Sequence, residues 1–367
     1  MNTLKPNGDR RRINWNAVLI EGRALVALAI IIAIFAILSG NYLKPDNLII
    51  MTRHVAINAI VAMGMLLTIL HGGIDLSVGS TVGLAGVVAG YLLSGWDLPM
   101  TDTVAYPAAW VVILIALGVG AIVGLVNGWL VARLNLAPFI ATLGMLYVAR
   151  GLALVVSNGL TFTKLLGDKA LGNTGFLTVL AGRPFGIPAP VWVMILVAII
   201  LSYLLTRTPF GRWLYSVGGN ERAAQLSGVP FRKVKTRVYV ISGVCAAMVG
   251  LLLTADLRAA TPRSGEFYEL NAIAAVVIGG TALSGGRGTI RGTLIGAFVI
   301  GFLVDGLVLV GVSVFWQQVI KGAVIILAVA VDQIQQMISK RRASDRAARP
   351  PGSSTPVSPD LGEVVGV

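Results

Sequence analysis

The chain has 367 residues, of which 56% are hydrophobic and only 12% charged, with 44 glycines and a mean hydropathy of +0.84. About a quarter of the residues of a soluble globular domain are charged, so that class is excluded. The net charge of +13 would suggest nucleic acid in a soluble protein, but these basic residues lie in loops and tails beside apolar runs, where membrane orientation accounts for them and no nucleic-acid partner is expected.

Residues 1–23 read as a basic, poorly structured lead that includes Arg10, Arg11 and Arg12. The apolar run from Ala24 has no small-residue cleavage site ahead of a soluble domain, so it reads as an uncleaved first span ending near Ser39. A polar loop follows, Gly40 to His54. The run from Val55 to Leu93 is too long for one span and is broken at His71-Gly72-Gly73-Ile74-Asp75-Leu76-Ser77, giving two. Trp96 to Pro107 is a short loop. A fourth span runs from about Ala108 to Ala132, a fifth from Pro138 to about Val156, and a sixth from about Ala189 to Leu205. Ser157 to Pro188 forms a longer loop.

The central segment, Arg207 to Arg237, is the longest polar stretch between two apolar runs, with seven Lys/Arg and one acid, Glu221. Gly218-Gly219 breaks the chain and Asn220 can cap. Gly228 followed by Val229-Pro230 stops the helix. A short helix over Glu221 to Ser227 is expected, either as a docking surface for a soluble partner or as a structured connector. Beyond it come Val238–Ala255, Leu270–Leu283, Gly292–Val310 and Val314–Val331. The second of these is short enough that a re-entrant helix competes with a full span. The chain from Lys340 turns basic and then rich in Pro and Ser, so a disordered tail is expected over 336–367.

The expected fold is an all-α polytopic membrane protein of about ten transmembrane helices (alternatively eight), with both termini cytoplasmic. That orientation places 20 of the 29 Lys/Arg on the inner side. The stretches Gly72–Ser77 and Gly279–Ser284 share spacing, and transporters often contain internal repeats.

Little in the sequence carries catalytic chemistry. His54, His71 and the lone Cys245 supply no metal-ligand cluster, and no cofactor is expected. Leu283-Ser284-Gly285-Gly286-Arg287 resembles the signature loop of an ATP-binding cassette, but no phosphate-cradling G-x-x-x-x-G-K-[ST] is present, so a tight Gly-rich turn is the better reading. The chain is not expected to hydrolyse ATP. Buried ionisable and polar residues in apolar runs are the candidate translocation path: Asn58, Asp75, Ser77, Asn127, Arg150 and Asp305. Asp75 can equally cap the helix that follows it. Arg150 can snorkel to the outer interface, and Asp305 can pair with Lys321. Glycines over 79–90, 118–128 and 292–301 favour close helix packing.

Four motifs in order carry a family resemblance. They are Gly72-Gly73-Ile74-Asp75-Leu76-Ser77-Val78-Gly79-Ser80; Asn127-Gly128 with Ala137 to Gly144 and Ala149-Arg150-Gly151; Gly218 to Gly228; and Ala274 to Thr281 with Leu283 to Gly288. Together they resemble the inner-membrane permeases of bacterial ABC sugar importers of the ribose, xylose and arabinose type, over about residues 24–335. The resemblance implies a dimeric permease with an ATP-binding partner, commonly a double cassette, on its cytoplasmic side and a periplasmic binding protein delivering the sugar. It also implies that Gly219, Asn220, Glu221, Arg222, Ala223, Ala224, Gln225, Leu226, Ser227 and Gly228 form a coupling helix. A proton- or sodium-coupled transporter using Asp75 and Asp305, and a membrane assembly protein without transport, are the competing classes.

Overall fold

The computed structural model describes residues 15–97 and 103–347. Thirteen helices and one small hairpin follow in order among them. The helices are α1 Trp15–Leu38, α2 Pro45–Leu70 and α3 Val78–Ser94; then, past strands β1 Trp96–Asp97 and β2 Val104–Ala105, α4 Ala109–Arg133, α5 Pro138–Ser157, α6 Phe176–Leu180, α7 Ala189–Arg207, α8 Pro209–Gly219, α9 Glu221–Leu226, α10 Phe231–Leu257, α11 Tyr268–Ile278, α12 Ile290–Leu309 and α13 Val314–Ala347. Six are long and apolar enough to cross a membrane: α2, α4, α5, α7, α10 and α12. Shorter apolar stretches lie in α1, α3, α11 and α13. The expected all-α membrane architecture is thus observed.

Helix ends depart from the hydropathy boundaries for a simple reason. Hydropathy marks what lipid can cover, whereas backbone hydrogen bonding continues until a residue stops it. Helix α1 already begins at Trp15, inside the expected unstructured lead; residues 1–14 lie outside the described part of the chain. Helix α2 begins at Pro45, with proline at its first position and Asp46 in its first turn. Helix α13 runs to Ala347, so residues 336–347 of the expected disordered tail are helical. Pro350, the next strong helix breaker, lies among residues 348–367, outside the described ones.

Helices α2 and α10 form the centre. Residues 56–67 of α2 are almost entirely buried, and α10 packs against α2, α3 and α4. Small residues make this possible. A Cβ on Gly120 or Gly124 of α4 would meet the carbonyl oxygens of Gly243 and Tyr239 on α10 at 2.3 and 2.2 Å. A Cβ on Gly250 of α10 would meet the Val82 oxygen of α3 at 2.4 Å. Backbones this close leave no room for side chains, the packing expected where lipid removes any hydrophobic drive between helices. Exposed large apolar residues cover the flanks of α4, α5 and α7, such as Trp110, Ile140 and Ile199.

Helix α11 has 11 residues, about half a membrane thickness. Residues 258–267 ahead of it are non-helical and lie along α3. Phe162 and Ala260 exchange both backbone bonds (2.9 and 2.8 Å), Ala260 lies where a Cβ of Gly90 would stand, and Gly265 lies beside Gly79. Non-helical backbone reaching this depth is tolerated because it is packed on protein.

Candidate functional site

The central segment folds into three helices rather than one. Thr208 and Pro209 open α8, which buries Phe210, Leu214 and Val217 on one face. The Tyr215 hydroxyl donates to the Gly288 carbonyl (2.8 Å), and burial pushes its pKa up, so the donor proton is retained. Helix α9 follows directly. Asn220 accepts through Oδ1 from the Ala223 N–H (2.9 Å), the N-cap bond expected from sequence. Gly228 takes φ +79°, ending the turn where a β-carbon would be strained. Lys235 of α10 donates to Glu221 at 2.7 Å, tying α9 to the central helix. Glu221 therefore faces back into its own chain. Of the residues expected to form a coupling helix, Arg222, Ala223, Gln225 and Leu226 point outward, and Leu226 is 84% exposed.

The base of α9 is locked into two turns from elsewhere in the chain. Helix α2 ends with Gly72 N–H on Ile69 O and Gly73 N–H on Thr68 O. Helix α11 ends in the same way, with Gly280 N–H on Val277 O and Thr281 N–H on Val276 O. Gly72 and Gly280 have φ +86° and +85°. The sequence echo is therefore geometrically real but slipped by one residue, since spacing aligned Gly72 with Gly279. The turn after α11 continues through Gly285 and Gly286, and Gly286 N–H donates to Leu70 O (2.9 Å). A Cβ on Gly218 would lie 1.7 Å from Leu70 O, and one on Gly286 2.9 Å from Gly219 N. The Leu283–Arg287 stretch is a tight Gly-rich turn, as read against an ATP-binding signature.

The six candidate path residues fall into three places. Asp75, Ser77 and Asn127 form one buried network: Asn127 Nδ2 donates to Ser77 Oγ (2.9 Å), Ser77 donates to Asp75 Oδ1 through Oγ (2.7 Å) and N (3.1 Å), and Ser242 of α10 donates to Asp75 Oδ2 (3.0 Å). Asp75 is 2% exposed. The N-cap of α3 is Ser77, with no side-chain cap bond, so Asp75 does not cap the helix; it holds the turn ahead of α3 through the Ser77 N–H and binds α10 through Ser242.

Asn58 and Asp305 line a cavity of about 540 Å³ bounded by α2, α10, α12, α13 and the 258–267 segment. Asp305 pairs with His54 (3.0 Å), not with Lys321, which lines the same cavity. The expected Asp305–Lys321 pair is thereby corrected; His54 is 251 residues away in sequence and reaches Asp305 across α2 and α12. Arg53 and Asp256 close the same end at 2.6 Å.

Arg150 lines a second cavity of about 490 Å³ with Arg263, Glu266 and Glu269. The Arg150 guanidinium donates to the carbonyls of Pro262 and Ser264, the latter at 3.0 Å, because the non-helical segment offers carbonyls that no helix satisfies. Arg263 and Glu266 line both cavities. Sequence reading missed these residues by treating 256–269 as an outer loop. The signal was available: a Pro- and Gly-containing charged stretch directly before an unusually short apolar helix.

Against known sequences, residues 46–329 match the family described as branched-chain amino acid transport system / permease component. The ribose import permease protein RbsC of Escherichia coli is 43% identical over 326 residues, covering 89% of this chain and 98% of that protein. Its Bacillus subtilis namesake is 44% identical over 334 residues, covering 91% and 99%. The xylose transport system permease protein XylH of Escherichia coli is 34% identical, covering 88% and 93%. No solved structure matches the chain.

Proposed function

The chain belongs to the family of branched-chain amino acid transport system permease components, and from that membership we propose how it works as the membrane-spanning permease of a sugar importer. It is a multi-pass inner-membrane protein and the permease subunit of an ABC sugar importer. The family description names amino acids, but relatives at 43–44% identity over nearly their whole length are named for ribose, which supports a monosaccharide or related polyol as cargo. ATP hydrolysis falls to a partner subunit, a double cassette on this reading, and a periplasmic binding protein delivers the sugar.

The observation that carries the mechanism is α9. It is a short capped helix with an exposed Leu226 at its tip, braced by Lys235 on α10 and rooted at Gly218 between the turns that end α2 and α11. An ATPase that grips Leu226 and Arg222 moves α9 as a rigid piece. That motion reaches α10 through the ion pair and the turns through backbone contact. The two cavities on either side of residues 258–267 are the path it opens. The second supports a homodimer: Tyr147 on its wall is 72% exposed beside Arg150, Arg263, Glu266 and Glu269, and such a charged flank is costly against lipid, so another permease copy is the fitting neighbour. Ten membrane-crossing segments with the α9 end cytoplasmic remain the proposed topology, with residues 258–278 as one broken span. Of the two acids of the ion-coupled alternative, Asp75 accepts three hydrogen bonds and Asp305 meets His54 through Oδ1.

Mild-detergent capture of the tagged chain from its native membrane tests this. Wild type is expected to retain an ABC ATPase and Leu226→Asp to lose it, with equal membrane levels. Retention of the ATPase by Leu226→Asp together with Arg222→Glu overturns α9 as the docking element.

A further inference from the structure

At the α9 end of the bundle, the outer flanks of α4 and α10 border a cavity of about 700 Å³ that the transport reading does not use. At its back the helices touch, since a Cβ on Gly128 would lie 2.7 Å from Thr236 Cα. Its rim carries four cations: Arg133 on the last residue of α4, and Arg232, Lys233 and Arg237 on the first two turns of α10. All four are exposed and no acid lines the cavity. Among the described residues the ion pairs take Arg53, His54 and Lys235, leaving these four without an acidic partner. Below the rim, toward the middle of α4, lie Trp129, which is 51% exposed, and then Leu125 and Val126.

We propose that this cavity binds an anionic phospholipid, its phosphate held by Arg232, Lys233, Arg237 and Arg133 and its acyl chains along Trp129, Leu125 and Val126. Charge complementarity and depth select the occupant. A soluble acidic surface would match the cations but would leave the apolar wall one to two turns deeper uncovered. A lipid satisfies both, with its phosphate at the level where α4 ends. Indole rings favour this level of a bilayer, and basic pockets on the inner face are the usual seats of anionic headgroups. The site rests on the proposed orientation, in which the α9 end faces the cytoplasm, but not on the identity of the cargo. Because Arg232, Lys233 and the α9 brace Lys235 share the first turn and a half of α10, a bound lipid fixes the helix that receives α9.

Native mass spectrometry of the full purified chain, with dioleoyl phosphatidylglycerol or dioleoyl phosphatidylcholine added to the detergent, tests this without any transport readout. Wild type is expected to retain phosphatidylglycerol, and the triple variant Arg232→Gln, Lys233→Gln, Arg237→Gln to bind it roughly a hundredfold more weakly. A triple variant in the 157–188 loop, Lys164→Gln, Lys169→Gln, Arg183→Gln, is expected to match wild type. Equal retention by all three proteins, or an equal fall for phosphatidylcholine, overturns the proposal. So does displacement of the lipid by excess inorganic phosphate, which would mark a free-anion site, or a variant that keeps the lipid but loses the ATPase on capture, which would mark a protein-docking patch. Tryptophan quenching by brominated phosphatidylglycerol gives a second reading on folded protein: Trp129→Phe is expected to remove the saturable part, and unchanged quenching counts against the site.

Discussion

The glycine junction beside α9 and the charged cavity at the far end of α2 are built on opposite principles. Beside α9, three chain segments meet backbone to backbone: Gly218, Gly285 and Gly286 stand against Leu70 O, Gly72 N and Gly219 N, and at these three glycines there is no room for a methyl group. At the other end, α2, α10, α12 and the non-helical 258–267 segment stand apart around a 540 Å³ cavity lined by charged side chains. A close-packed junction transmits displacement because it cannot absorb it. A cavity bordered by irregular backbone can change shape by repacking side chains. On the proposed mechanism, transmission belongs to the glycine junction and passage to this cavity.

The strongest way to break the contrast is to add one carbon to the junction. Gly218→Ala puts Cβ 1.7 Å from Leu70 O, a clash with backbone that costs about 3 kcal/mol or more. Sugar uptake by cells carrying it is expected to fall to background. Gly219→Ala is its control, since nothing lies within 4 Å of that Cβ, and uptake should match wild type. At the opposite end, Arg150→Met strips two carbonyls of their donor, a loss of about 1–3 kcal/mol. It should lower the thermal midpoint in detergent and uptake together. In the buried network between the ends, Asp75→Asn exchanges an acceptor for a donor facing Ser77 and Ser242, about 1–2 kcal/mol. The expected outcome is a lower midpoint with uptake still driven by ATP; uptake that vanishes at unchanged stability would make Asp75 a transport residue. Smallest is Asn220→Ala, which removes one cap bond worth about 1 kcal/mol from α9. A modest loss of uptake per ATP, measured in vesicles, is the expected sign.

Sequence made α9 legible because every signal it needs is local: a Gly-Gly break, Asn at the cap, Gly-Val-Pro at the stop. It could have revealed α8 as well. Thr208-Pro209 opens it, and Phe210, Leu214 and Val217 recur at helical spacing; the surrounding Arg residues hid that stripe in a segment read as loop. The break at Gly72 and the short α11 were also visible. What spacing could not supply was the meeting of those turns with Gly218, because close backbone approach leaves no compositional trace beyond glycine itself. The His54–Asp305 pair was hidden for the same reason, since its partners are 251 residues apart. The partners of Arg150 were not legible because its carbonyl acceptors exist only once residues 258–267 are folded against α3.

The claim that the glycine junction carries motion from α9 into the bundle is tested most directly by coupling in reconstituted vesicles. Permease, ATPase and binding protein are combined with wild type, Gly218→Ala or Gly219→Ala, and ATP hydrolysed and sugar imported are counted in the same sample. The account predicts that Gly218→Ala still assembles with the ATPase and supports hydrolysis but imports almost nothing, while Gly219→Ala imports normally. Import by Gly218→Ala at the wild-type ratio to ATP would contradict it.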